Sequence, residues 1–240
     1  MPLANILIVV FIIGMAYWWA LQGFFSSLLH LVMVIAAGSL ALALWEPLVL
    51  NLGMKMQPMY CWGLWLLGPF VLILVVLRLV VDKLVPKNVN FQNLVSNAGG
   101  AVLGVFSAIL TAGLAVIGLG LLPLDTDLGG YEPYMVDGRG RIDDSSGDNL
   151  WVPVDKMANG FFVGLANSSF STSTPLGAYR PFLPRFAALH RMRYDENASV
   201  VAVPGSVSIE GFIRCGVPLE ELDAAIASSF GQPFKNQDNT

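Results

Sequence analysis

The chain has 240 residues, 55% of them hydrophobic and only 12% charged, with a formal net charge of −4. A soluble domain carries roughly 25% charged residues, so a wholly soluble protein is excluded. The apolar composition, the lack of a Gly-X-Y period and a count of two Cys exclude disorder, a collagen repeat and a disulfide scaffold. The acidic balance argues against nucleic acid as a partner.

The first charged side chain is Glu46; Lys55 follows, then none until Arg78, and after Lys87 none until Asp125. A helix rises about 1.5 Å per residue and the hydrocarbon core is about 30 Å thick, so roughly 20 apolar residues make one crossing. The charge-free runs predict four membrane spans within residues 1–122, at about 4–21, 24–45, 60–81 and 98–122. Each is helical, because backbone groups in lipid have no water to bond. Gln22, Gly23 and Phe24 form the bend of the first hairpin. A secretory signal ending at Ala41-Leu42-Ala43 is a poor alternative: no Lys or Arg precedes the apolar run, which is too long.

Basic residues set the orientation. Arg78, Lys83 and Lys87, with Asp82 among them, flank the connection between spans three and four, against Lys55 alone between spans two and three. The positive-inside rule puts the Lys83/Lys87 side in the cytoplasm and both termini outside. Residues 1–122 hold four basic and two acidic side chains; the rest of the chain holds the other nine basic and fifteen acidic ones. The expected organisation is therefore a four-helix transmembrane domain followed by a small α+β extramembrane domain. Its parts are a Gly/Asp-rich linker at 123–150, an extracytoplasmic domain at 151–233 and a flexible tail at 234–240.

In the linker, Asp137, Asp143, Asp144 and Asp148 do not follow the EF-hand spacing, and Asp137-Gly138 reads as a turn. From Pro153 the pattern turns helical: Val154, Met157, Ala158, Phe161, Phe162 and Leu165 form one apolar stripe. That stripe either packs on a core, the favoured reading, or lies on the outer leaflet with Trp151 beside it. Arg180, Arg185, His190, Arg191 and Arg193 crowd a segment that reads as helical from Pro184. They form a solvated face or, less favoured, a contact with anionic headgroups. Short strands are expected at Ala198–Val203 and Val207–Ile213, and a last helix from Pro218 ending before Gly231.

Chemistry is sparse. Ser26 and His30 lie one turn apart in span two, but an intramembrane hydrolase needs an oxyanion hole and a positioned nucleophile that one helix does not supply. A polar His30 bonded to a neighbouring helix is the favoured reading. Arg78 and Asp82 are i, i+4 neighbours able to pair while Arg78 snorkels. Cys61 and Cys215 both fall outside the cytoplasm, so a disulfide is chemically allowed and unassigned. Zinc spacing, the P-loop and the dinucleotide fingerprint are absent, and neither metal nor cofactor is expected. The strongest local signal is a strip of small residues in span four, Gly100, Gly104, Ala108 and Ala112, with a second edge at Gly113 and Gly120. Such strips admit another helix backbone, from a second copy or, as favoured here, from the same unit.

Gly23-Phe24 at the first bend, Asn97, Gly100 and Gly104 opening the last span, and the four-span order give a chain that resembles the colicin V production protein (CvpA) family over about residues 4–122. Charges that the family often carries at the first hairpin and in the last span are replaced by Leu21, Gln22, Ser26, Ser27 and Ser107. The resemblance implies an inner-membrane protein without established enzymatic chemistry, named for a part in toxin production or export. The expected function is accordingly a non-catalytic bacterial inner-membrane protein assisting toxin secretion or other envelope processes. Its partners are lipid, a second copy through span four, or a secretion or envelope protein. The alternative is an oligomeric pore or carrier for a small solute, and the least favoured is the hydrolase.

Overall fold

In a computed structural model of the chain, described over residues 3–56, 60–84, 93–123, 131, 135–136, 142–143, 150–168 and 182–192, four helices are long and apolar enough to cross a membrane. They are α1 (Leu3–Gln22), α2 (Phe24–Leu48), α3 (Cys61–Leu84) and α4 (Asn93–Gly120). The protein is a mostly helical, multi-pass membrane protein. Two shorter helices come after them, α5 (Val154–Asn167) and α6 (Leu183–Met192). Between α4 and α5, Met135–Val136 pairs antiparallel with Ile142–Asp143. All of this belongs to one compact unit, Met1–Val201. The second unit, Ala202–Thr240, lies outside the described residues, as do Lys87, Arg180 and the Asp137-Gly138 turn. The expected strands, last helix, tail and Cys215 fall there too.

Two helices run past their expected ends. Span two continues beyond Glu46 and Lys55 through a π turn, Val49–Gly53, and a helical turn, Met54–Met56. Pro47 has no N–H to donate within α2, yet the helix runs through it and on into the π turn. The Asn51 side-chain amide donates to the Pro47 carbonyl at 2.8 Å. Span four begins at Asn93 rather than near 98, because its polar opening residues are helical as well. Its 28 residues reach about 40 Å, longer than the hydrocarbon core.

Helix α4 is the axis of the bundle: α1 packs along one side, α2 along another, and α3 packs on α2 and touches α4. Small residues explain the arrangement. A Cβ added at Gly100 would meet the Trp19 carbonyl oxygen at 2.5 Å, and one at Gly104 would meet the Ala16 Cα at 3.1 Å. Ala108 is fully buried, and Ala112 shares a core cluster with Ile8 of α1. The strip is thus occupied by α1 of the same chain. At the α3–α4 crossing a Cβ on Gly63 would lie 2.7 Å from the Gly118 carbonyl oxygen. Lipid offers helices no hydrophobic drive to associate, so such close backbone contact supplies the packing.

The second small edge receives the shorter helices. Gly113 faces the Val154 carbonyl and Ala158 of α5, and Gly120 faces Ala187 of α6. Phe162 of α5 fills the space over Gly38 of α2, against Leu114 of α4. One core therefore runs through Val34, Trp45, Trp62, Leu66, Leu114, Phe162 and Leu183. Gly100→Leu is expected to lower stability by about 2–3 kcal/mol, because backbone atoms of α1 cannot yield to the added side chain. Gly14→Leu, at a position with nothing within 4 Å, should leave stability unchanged. Denaturation midpoints in mixed detergent micelles compare the two.

Candidate functional site

Polar side chains gather at the two ends of the bundle. At the hairpin end a single residue, Gly23, separates α1 from α2, with φ 87° and ψ 168°, a conformation open to glycine and strained for other residues. Its N–H donates to the Trp19 carbonyl at 3.1 Å, and the Ser27 hydroxyl donates to the Gly23 and Phe24 carbonyls at 3.0 and 2.8 Å. The Phe24 N–H donates to the Ser96 hydroxyl at 3.3 Å, and the Phe24 ring lies over Gly99. The bend and the start of the small-residue strip are therefore one structure, with Gln22 exposed at its rim.

Trp19 is the centre of this end. Its backbone and Cβ face Gly100 and Gly104, and its indole stacks on the His30 imidazole, 4.2 Å between centroids and 21° apart. The Arg78 guanidinium carbon lies 5.6 Å from the Trp19 ring centroid, while Nε donates to Asp82 Oδ2 at 3.0 Å. A cation over an indole face is attracted by the ring quadrupole, so α1, α2 and α3 are joined through one aromatic. Lys83 is exposed in the last turn of α3. Neither His30 ring nitrogen has a hydrogen-bond partner among the described residues, and the buried serine of this turn is Ser27 rather than Ser26. His30 is thus held by stacking on α1, in place of the expected hydrogen bond. The sequence treats His30 and Arg78 separately. Their shared level was the missed signal: Trp19, His30 and Arg78 each lie within about 10 Å of the same helix ends.

At the opposite end one hydrogen bond ties the chain after α4 to the bundle and two more brace that chain internally. The buried Asn5 of α1 accepts the Trp151 N–H at 2.8 Å. The Tyr131 hydroxyl donates to Asp155 Oδ2 at 2.7 Å, and Asn159 Oδ1 accepts the Leu183 N–H at 2.9 Å. Trp45 Nε1 donates to the Trp62 carbonyl at 2.8 Å, and the Phe186 ring meets both indoles edge-on. His190, expected on a charged face with Arg185, is instead buried beside Trp62. Leu183, Ala187 and His190 fall on one side of α6, and that side meets the bundle while Arg185 points away. Cys61 is buried, its thiol directed at the Met54 sulfur 3.7 Å away.

Among the described residues no three His, Cys, Asp or Glu are grouped as a metal site requires. The arrangement binds helix to helix at one end and tethers a later segment of the chain at the other. Comparison with protein-family models, with curated proteins and with solved structures finds no match for this chain. Removing the Tyr131 hydroxyl with Tyr131→Phe takes a donor from a buried carboxylate and is expected to cost about 1–3 kcal/mol. Limited proteolysis in detergent should then cut within 150–168 faster than in the parent protein.

Proposed function

We propose that the protein is a non-catalytic scaffold of the bacterial inner membrane, assisting an envelope process of the kind that the colicin V production resemblance implies, toxin secretion included. The observation that carries this reading is where the small and polar residues are spent. The Gly100–Ala112 strip takes α1, Gly113 and Gly120 take α5 and α6, and Asn5 and Asn159 hold backbone N–H groups of the chain beyond α4. These are joints, and they support a rigid anchor presenting a tethered segment to a secretion or envelope protein. The pore reading depended on self-association through α4, and α1 already fills that strip.

The basic residues Arg78, Lys83 and Lys87 support a cytoplasmic hairpin end and an extracytoplasmic carboxyl half. A membrane-impermeant maleimide is expected to label Cys215 in spheroplasts and to reach Lys87→Cys after permeabilisation alone. The purified protein in liposomes should pass no more solute than empty vesicles under several ion gradients. In a deletion strain, Ser26→Ala and His30→Ala proteins that still assemble should restore the secretion phenotype. Sustained flux would replace the scaffold with the pore, and loss of function in an assembled His30→Ala protein would revive catalysis.

A further inference from the structure

Helix α5 carries apolar side chains on its outward face as well as on the face packed against the bundle. Its buried face carries Asp155 and Asn159, 2% and 3% exposed, beside Val154, Ala158 and Phe162; Asp155 Oδ2 accepts from the Tyr131 hydroxyl and Asn159 Oδ1 from the Leu183 N–H. Its outward face carries Met157 and Phe161, 45% and 39% exposed, with Gly160 and Gly164 exposed between and beyond them. A helix whose outer side faces water keeps that side polar, and the outer side of α5 is not.

Depth explains the apolar outer side. Val154 and Ala158 sit on Gly113, seven residues before the end of α4, about 10 Å down its axis. Phe162 sits on Gly38, eight residues before Glu46, the first charge of the chain, about 12 Å down α2. The two contacts lie at one level, since Leu114, beside Gly113, borders Gly38 together with Phe162. Helix α5 therefore crosses α4 and α2 below the first charged residue, where their own outward side chains face lipid. Just before it, Trp151 is 58% exposed and held by Asn5 in the opening turn of α1. Tryptophan favours such a boundary between hydrocarbon and headgroups.

We propose that α5 is embedded in the lipid leaflet at the Trp45 end of the bundle, its Met157–Phe161 face against acyl chains and Trp151 at the headgroup boundary. The surface is continuous with the lipid-facing sides of the transmembrane helices, and acyl chains are its occupant. It makes a fifth membrane helix that does not span, independent of the scaffold reading above.

The test uses the full chain with Cys61→Ala and Cys215→Ser in phosphatidylcholine–phosphatidylglycerol vesicles. Nitroxides are placed singly through Met157→Cys and Phe161→Cys, with Val71→Cys as the lipid reference and Lys83→Cys as the water reference. Labels at 157 and 161 are expected to collide with oxygen as the label at 71 does and to lose collisions with a water-soluble nickel chelate. In the unsubstituted protein, a phospholipid bearing a diazirine near its acyl terminus should leave adducts on Met157 or Phe161 after irradiation. Chelate collisions like those at position 83 would overturn the proposal. So would shielding from both reagents, which means a covering by another segment or a second copy, or adducts on α3 with none on α5.

Discussion

The structure depends on how closely α1 lies against α4. A Cβ on residue 100 would lie 2.5 Å from a carbonyl oxygen of α1, and one on residue 104 would lie 3.1 Å from backbone atoms of Ala16 and Met15. Glycine at residue 100 is what permits this, and a Cβ at residue 104 would press on α1 as well. The contact sets the register of the first hairpin against the last long helix, and with it the place of Trp19. From Trp19 the ring contacts reach α2 through His30 and α3 through Arg78. One close backbone approach thus orders four helices, where apolar side chains alone would not distinguish a neighbour from a lipid tail.

The same economy governs the other end. Polar groups are few in this chain, and those buried opposite the hairpin are used as fasteners: Asn5 for the Trp151 N–H, Tyr131 for Asp155, Asn159 for the Leu183 N–H. A hydrogen bond removed from water gains strength and an unmade one is costly, so such pairs specify position. They hold α5 over the second small edge of α4 and α6 over the Trp45–Trp62 pair. The chain beyond α4 is thereby built into the membrane domain for at least part of its length.

Much of this was legible from residue order. The absence of charge gives four spans, a helix has a fixed rise, and spacing by four exposes the Gly100–Ala112 strip. The stripe from Val154 to Leu165 is also real, yet the helix splits it: Val154, Ala158 and Phe162 face the bundle while Met157 and Phe161 face away. Sequence pattern could not show this, because Asp155 and Asn159 look like a water-facing side until their partners, distant in sequence, are known. His30 and Arg78 escaped as a pair for the same reason, since periodicity within a helix carries no record of its neighbours. The length of α2 was hidden by Glu46, which ends the charge-free run although the helix continues past it through a π turn.

The central claim is that α4 gives its small-residue strip to α1 of its own chain. Cysteines at Ile8 and Ala112, two members of one buried cluster on α1 and α4, test it in protein lacking Cys61 and Cys215. Oxidation in the membrane, followed by denaturing electrophoresis, should yield a monomer of altered mobility that reverts on reduction. A disulfide-linked dimer as the sole product, with no cross-linked monomer, would place a second copy on the strip and contradict the account.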